Sequence, residues 1–157
     1  MRIAIAASEA APFVKTGGLG DVMQALPLEL SRIAHNEISV FLPYYGMIKY
    51  GGGWDMEFLG SFEVQMAWRR EYVGVLRLKS RRKKLRIYFI DNEHYFCRGG
   101  IYGEPDDGER FAYFSKAVLA AIGFLDVRPD VIHCNDWQTA LIPLLLKTEY
   151  HESLPDV

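Results

Sequence analysis

The sequence predicts an α/β protein with a Rossmann-like parallel sheet, helices on both faces and an antiparallel β-hairpin insertion. The chain opens on a continuous apolar segment, residues 2–7, which is typical of a buried central strand. A glycine-rich loop and a segment of helical periodicity follow it. Two later runs, 62–68 and 72–78, alternate apolar and polar residues, which predicts a pair of antiparallel strands.

The first helix follows the glycine-rich loop. Its apolar residues recur at helical spacing. They are Leu19, Val22, Met23, Leu26, Leu30 and Ile33. Pro27 lies within this pattern and is expected to kink the helix, because proline has no N–H to donate. A short apolar run at 38–42 predicts the second strand, which completes a β-loop-α-β unit and implies parallel pairing.

The middle of the chain predicts a hairpin grafted onto the parallel sheet rather than a separate domain. Residues 44–54 are rich in tyrosine and glycine, which indicates a surface excursion. The two alternating strands are expected to join near residues 69–71. A basic turn at 80–84 then leads to another apolar strand at 85–90.

The last third predicts two helices separated by a strand. Residues 91–107 show no strand or helix period and predict a long loop. Asp106 and Glu109 resemble a helix start. The apolar face of that helix consists of Phe111, Phe114, Val118, Ala121, Ile122 and Leu125. After a brief strand at 131–134, Asp136 stands at the N-cap position of a final helix, which Pro143 is expected to kink.

Composition and charge limit the function classes. A chain of 157 residues fits one domain, and its formal charge of −2 argues against a general nucleic-acid-binding protein. Cys97 and Cys134 are too few for a disulfide scaffold, which favours a reducing compartment. The sequence lacks a run of about 18 apolar residues, and its first apolar stretch is too short for a signal peptide. We therefore expect a cytoplasmic protein without a membrane partner.

The loop at residues 15–21 is the candidate phosphate-binding element. Its sequence is Lys15-Thr16-Gly17-Gly18-Leu19-Gly20-Asp21. Glycine lets backbone amides approach a ligand closely, and the helix dipole favours negative charge at that point. Lys15 adds a positive charge. The loop matches neither the P-loop motif nor the dinucleotide fingerprint. The alternative is that its glycines only let the helix lie close to the first strand.

A second candidate element follows the last predicted strand. Asn135 or Asp136 is expected on the same rim of the sheet as Lys15, where a carboxylate can accept hydrogen bonds from sugar hydroxyls. The alternative is plain helix capping by Asp136. A metal site made by His133 and Cys134 is disfavoured, because adjacent residues of a strand point to opposite faces. No metal and no cofactor is expected.

Two further features have open interpretations. Tyr95, in the predicted loop at 91–107, either stacks on a sugar ring or covers the local core. The basic run between Arg77 and Arg86 is interpreted as a solvated hairpin tip, with a polyanion or partner site as the alternative.

These motifs together resemble the amino-terminal region of bacterial glycogen synthases and plant starch synthases, in the same order and over most of the chain. The matching stretches are Ser8-Glu9-Ala10-Ala11-Pro12, residues 15–22, Ala25-Leu26-Pro27, Leu42-Pro43-Tyr44-Tyr45, Tyr102-Gly103, Glu109-Arg110-Phe111 and His133-Cys134-Asn135-Asp136-Trp137-Gln138-Thr139. The resemblance implies part of the N-terminal domain of a two-Rossmann-domain (GT-B) glycosyltransferase. Such enzymes transfer glucose from ADP-glucose, or from UDP-glucose, to the non-reducing end of an α-1,4-glucan with retention of configuration.

The resemblance also implies site residues. The substrate-binding set is Lys15, Thr16, Gly17, Gly18, Asp21, Tyr95 and Asp136. Lys15 corresponds to the lysine that binds the sugar nucleotide in this family, and Gly17 and Gly18 bring backbone amides towards the diphosphate. Asp21, Tyr95 and Asp136 match positions near the glucose and acceptor pocket.

Two departures from the family affect what residues 1–157 are expected to do alone. Asn135 stands where the family commonly has histidine. The family's T-V-H-N-type segment, its histidine and the whole second domain would lie beyond Val157. We therefore expect a partial N-terminal domain that is inactive alone and needs the second domain in cis or in trans. The alternatives are a non-catalytic glucan- or sugar-nucleotide-binding module, a subunit paired with a separately encoded second domain, and a generic phosphate-binding Rossmann protein.

Overall fold

A computed structural model describes residues 1–155 and 157. Within these residues, six strands form one sheet in the order β3-β4-β5-β2-β1-β6. The strands are β1 (Arg2–Ala6), β2 (Glu37–Pro43), β3 (Met56–Met66), β4 (Arg69–Leu78), β5 (Leu85–Asp91) and β6 (Val131–Cys134). Strands β5, β2, β1 and β6 run parallel, whereas β3 and β4 pair antiparallel with their neighbours.

The helices are α1 (Gly18–Arg32), α2 (Gly46–Gly51), α3 (Glu93–Phe96), α4 (Asp107–Phe124) and α5 (Ile142–Thr148). A short 3₁₀ helix (Trp137–Thr139) precedes α5. Helix α1 packs against β2 and β5, and α4 packs against β3 and β5. The predicted fold class is confirmed. In the part of the chain that the structure describes, each helix is too short or too polar to cross a bilayer.

The centre of the sheet is β1, which pairs with β2 on one side and β6 on the other. Ile5 of β1 stands in register with Val40 of β2 and with His133 of β6. Ile5 and Val40 are buried, as expected for parallel strands covered on both faces. Parallel pairing brings the carboxyl ends of β1, β2 and β6 to one edge of the sheet, where open α/β sheets bind ligands.

The hairpin β3–β4 extends the parallel sheet, as predicted. Its turn lies at Ala67 and Trp68, two residues before the predicted position, and Ala67 has a positive φ of 51°. Strand β4 pairs with β5, with Val75 opposite Ile90. The hairpin therefore shares the core of the domain.

The prediction of a surface excursion at residues 44–54 is wrong for its first part. Tyr44, Tyr45 and Ile48 are buried, and residues 46–51 form α2. The ring of Tyr45 contacts that of Phe96 edge-on, with centroids 5.7 Å apart. A helix this short has no detectable period, so burial of its aromatic residues decides its conformation.

Several helix ends also differ from the predictions. Helix α1 continues through Pro27 as one element, and the kink expected at this proline stays a prediction. Asp106 makes no side-chain cap at α4, and its carboxylate accepts a hydrogen bond from Arg98 (2.9 Å). Pro143 lies in the first turn of α5, where its missing N–H has no partner to lose, so it begins that helix rather than kinking it.

The loop predicted at 91–107 contains α3, which sequence reasoning missed. Asn92 caps this helix by accepting a hydrogen bond from the backbone N–H of Tyr95 (3.2 Å). The basic run joins β4 to β5 and is exposed at residues 79–84, as predicted for a solvated tip. Its flanking cations Arg77 and Lys79 form ion pairs with Glu57 and Asp55 of the β3 side.

Candidate functional site

The loop that follows β1 is folded back on the start of α1. An isolated bridge pairs Ala10 with Val14, and the Ala11 amide donates a hydrogen bond to the carbonyl of Gly20 (3.0 Å). These contacts hold residues 10–14 beside the first turn of α1. Residues 15–17 therefore emerge at the carboxyl edge of the sheet, as the sequence predicts.

Lys15 lies beside the first turn of α1. Its Nζ is 2.7 Å from Oδ1 of Asp21, and both side chains are about half exposed. Gly20 allows this approach, because a Cβ at that position would lie only 2.8 Å from Cγ of Lys15 and 3.3 Å from its Cα. The third glycine of the motif is therefore required by the packing of the lysine.

Gly17 and Gly18 have a different environment. A Cβ added to either residue would meet no heavy atom within 4 Å. Gly17 is the N-cap of α1, and no side chain caps this end of the helix. The first backbone amides of a helix have no partner within it and carry the positive end of the helix dipole. The space beside Gly17 and Gly18 is therefore open and suited to an anion.

Glu9 is a site residue that sequence reasoning missed. It is 3% exposed, and its carboxylate accepts hydrogen bonds from the backbone N–H of Thr16, from the Thr16 hydroxyl (3.1 Å) and from the backbone N–H of Gly17 (3.4 Å). The signal that could have found it is a charged residue three positions after the apolar end of a buried strand. A carboxylate at that point must be paired if it is buried.

The rim next to this loop belongs to β6. Asn135 donates hydrogen bonds to the carbonyl of Ala6 from its backbone N–H (3.2 Å) and from its side-chain amide (3.1 Å). Asn135 thus joins the ends of β1 and β6, and it is a structural residue here. The following residue, Asp136, is exposed on the same edge of the sheet.

Asp136 has an unusual backbone. Its φ of 64° and ψ of −179° fall in a region that is populated almost only by glycine, at a typical cost of about 1–3 kcal/mol. Its carboxylate accepts a hydrogen bond from the N–H of Trp137 (2.7 Å), so Asp136 caps the 3₁₀ helix Trp137–Thr139. The prediction that it caps the final helix is wrong, because α5 begins only at Ile142. Backbone strain of this kind is concentrated at functional sites.

Tyr102 connects the two rims. Its hydroxyl lies 2.6 Å from Oγ of Ser8 and donates to the Glu9 carboxylate (3.4 Å). Burial, together with the nearby charges of Glu9 and Asp136, raises the pKa of Tyr102 to about 12. Asp136 is thus close enough to Tyr102 to act on it electrostatically. The structure brings Lys15, Thr16, Gly17, Gly18, Asp21 and Asp136 to one edge of the sheet.

Tyr95 has a different position. Its ring is fully buried and stacks on Tyr113, with centroids 4.5 Å apart. Its hydroxyl donates to Glu109 (2.7 Å) and accepts from Arg69 (3.1 Å), and burial raises its pKa to about 12. With both faces covered, the ring is not available to a sugar in this conformation. The geometry favours the interpretation of Tyr95 as part of the local core.

The fold and the loop define a Rossmann-like domain that carries an open glycine-rich loop at the carboxyl edge of its parallel sheet. A family model described as the starch synthase catalytic domain matches residues 2–156. The chain therefore belongs to the glycogen and starch synthase family of glycosyltransferases.

Individual relatives agree with this assignment. The chain is 52% identical over 151 residues to the glycogen synthase of Streptococcus sanguinis, and 52% identical over 153 residues to that of Exiguobacterium sibiricum. In both cases the match covers 96% of this chain and 31% of the relative. The catalytic domain of starch synthase IV from Arabidopsis thaliana, bound to ADP and acarbose, is similar with a TM-score of 0.86 and 34% identity. That match covers 99% of this chain and 32% of the plant protein.

Proposed function

We propose that this chain is the N-terminal part of a glycogen or starch synthase, which transfers glucose from ADP-glucose or UDP-glucose to the non-reducing end of an α-1,4-glucan. One observation carries the proposal. Lys15 lies beside the open first turn of α1, in a chain that matches the starch synthase catalytic domain over residues 2–156. The Arabidopsis relative, which was solved with ADP and acarbose, supports the nucleotide and glucan classes.

The proposed role of the loop is electrostatic. When the glycosidic bond to the nucleotide breaks, negative charge develops on the departing diphosphate. The Lys15 ammonium and the backbone amides from Gly18 onwards would stabilise that charge, and preorganised groups of this kind usually supply the largest single part of catalysis. Because Glu9 already binds the N–H and the hydroxyl of Thr16, we assign Thr16 to holding the loop rather than to direct phosphate contact.

The two carboxylates on this edge have different proposed roles. Asp21 holds Lys15 in place through their 2.7 Å ion pair, and Asp136 is exposed on the neighbouring rim, where it can accept hydrogen bonds from sugar hydroxyls. Tyr95 as a sugar-binding residue stays a prediction, which requires its ring to become exposed. The proposed protein acts in the cytoplasm.

The remaining parts of the catalytic site are proposed to come from further sequence. The chain spans about a third of the length of the relatives that it matches. We assign the nucleoside pocket and the catalytic histidine to a second domain and to sequence beyond this chain, joined in cis or supplied in trans. On its own, the 157-residue chain is expected to be inactive.

A chimera tests the proposed function. This chain replaces the matching N-terminal third of the Streptococcus sanguinis glycogen synthase, and incorporation of glucose from ADP-glucose and from UDP-glucose into α-1,4-glucan is measured. Transfer that depends on Lys15 is expected, and its absence in a folded chimera contradicts the proposal. The isolated chain serves as the second arm. Enzyme-like transfer by it would overturn the expectation of inactivity, and nucleotide binding without transfer in either protein would favour a non-catalytic binding module.

A further inference from the structure

The backbone amides of the glycine-rich loop are not equivalent. Those of Thr16 and Gly17 donate to the buried carboxylate of Glu9, whereas the space beside Gly18 is open. An internal carboxylate therefore occupies the first half of a loop whose second half is free for an anion. Such a carboxylate can be a temporary substitute for phosphate, displaced by the ligand, or a permanent support of the loop.

Burial decides between these roles. Glu9 is 3% exposed, and it is also bound on its other side by the Tyr102 hydroxyl. Because a carboxylate only accepts hydrogen bonds, Tyr102 must donate to Glu9, and the Ser8 hydroxyl must then donate to Tyr102 (2.6 Å). A ligand that took the amides of Thr16 and Gly17 from Glu9 would leave a buried charge without these hydrogen-bond donors, which is strongly unfavourable. The carboxylate is therefore fixed.

The support reaches deeper into the domain. Next to Tyr102, the backbone N–H of Gly103 donates to Asp107 (2.8 Å), and Asp107 forms an ion pair with Arg110, whose side chain is fully buried. Arg110 in turn donates to the carbonyl of Tyr95 (2.8 Å). The segment that carries Tyr102 is thus anchored to α4.

We propose that Glu9 is a positioning residue of the phosphate site. It binds the amides of Thr16 and Gly17, fixes the direction in which Gly18 and the first turn of α1 face the ligand, and stays bound when the ligand arrives. As a consequence, the phosphates are contacted only by Lys15 and by the backbone amides from Gly18 onwards. This inference rests on the proposed function for the identity of the ligand, but the arrangement of Glu9 is independent of it.

Hydrogen exchange and ADP titration of the 157-residue chain, both followed residue by residue by NMR, test the inference. In the unsubstituted chain, the amides of Thr16 and Gly17 are expected to be protected and to stay protected at saturating ADP, while the resonances of Gly18 and Leu19 shift. Rapid exchange at Thr16 and Gly17, or loss of their protection when ADP binds, would overturn the proposal. This arm needs no substitution and cannot fail through misfolding.

Variants of Glu9 separate positioning from general stability. Glu9→Ala is expected to raise the exchange rates of Thr16 and Gly17 at least tenfold and to weaken ADP binding about tenfold, with exchange at Ile5 of β1 unchanged. Glu9→Gln keeps an acceptor for the amides, so it is expected to retain most of the protection of Thr16 and Gly17 and most of the ADP affinity. Unchanged ADP affinity in Glu9→Ala contradicts the proposal. Glu63→Gln is the matched control, because Glu63 is an exposed carboxylate on β3.

The two proposals fail in different ways. If neither the unsubstituted chain nor the chimera, which contains the second domain, shows ADP-dependent shifts at Gly18 and Leu19, the phosphate site is wrong, whatever Glu9 does. A second outcome is that ADP shifts these resonances while Glu9→Ala and Glu9→Gln both bind ADP with the same affinity as the unsubstituted chain. In that case the phosphate site is supported and the proposed role of Glu9 is wrong.

Discussion

Lys15 and Asp21 form an ion pair across the first turn of α1, with 2.7 Å between Nζ and Oδ1. Both side chains are about half exposed, and exposed pairs of this kind contribute only about 0–1 kcal/mol to stability. Lys15 can therefore exchange Asp21 for a phosphate at small cost. The pair keeps the ammonium at the mouth of the loop without binding it firmly.

Asp21→Asn tests this relationship. We expect the free energy of unfolding to change by less than about 1 kcal/mol, because the pair is exposed. ADP affinity is expected to stay the same or to rise, because Lys15 no longer has to leave a charged partner. Urea unfolding and ADP titration measure the two quantities. A tenfold loss of ADP affinity would show that Asp21 contributes more than a replaceable partner for Lys15.

Gly18→Ala tests whether the open space at the loop is a ligand site. The new methyl group meets no protein atom within 4 Å, so the variant is expected to fold with unchanged or slightly higher stability. Its ADP affinity is expected to fall at least fivefold, because the methyl group occupies the space beside the helix amides. Gly108→Ala is the control, since Gly108 lies in the first turn of α4 with equally open surroundings. Equal ADP affinity in both variants would contradict the site.

Asp136→Gly is expected to stabilise the fold and to impair function. Glycine adopts the backbone conformation of Asp136 without strain, and at a helix N-cap it costs only a few tenths of a kcal/mol relative to aspartate. The free energy of unfolding is expected to rise by about 1 kcal/mol, whereas glucan synthesis by the chimera falls at least tenfold. Asp136→Asn keeps the side-chain cap and the strain, so it should not stabilise. Destabilisation by Asp136→Gly would show that the strain is not present in solution.

Arg110→Met tests the anchor behind the site. Arg110 is fully buried and forms an ion pair with the partly buried Asp107 three residues earlier, and removing the cation leaves the Asp107 carboxylate without its charged partner. The free energy of unfolding is expected to fall by about 3 kcal/mol. Arg32→Met breaks an ion pair of the same spacing with Glu29 on the exposed face of α1, and its effect is expected to stay below about 0.5 kcal/mol. Similar losses in chemical denaturation of both variants would contradict the account.

The sequence was sufficient to predict the parallel strands and the place of the candidate site. Strand β1 is apolar from Ile3 to its end because both of its faces are covered there, and this pattern is visible without a structure. Parallel pairing then places Lys15 and Asp136 on one edge whatever the details of the loops. The hairpin insertion was predictable for a similar reason, because β3 and β4 alternate along much of their length.

The polar contacts between loops were not predictable. Tyr102 lies more than 90 residues from Ser8 and Glu9, the two residues that its hydroxyl contacts. No hydrophobic period in the sequence marks these contacts. Tyr95 looked accessible in a glycine-rich segment, yet tertiary packing against Tyr113 buries it. Short elements such as α2 were missed because their conformation depends on what they bury rather than on local preference.

The central claim is that Lys15 and the loop beside it bind the diphosphate of a sugar nucleotide. Its most direct test is the equilibrium affinity of the chimera for ADP-glucose, compared with the affinities of Lys15→Ala and of Lys83→Ala, which removes an exposed lysine of the basic turn. We expect Lys15→Ala to weaken binding at least tenfold, which corresponds to about 1.4 kcal/mol, and Lys83→Ala to leave it unchanged. Equal affinity of Lys15→Ala and the unsubstituted chimera would contradict the claim.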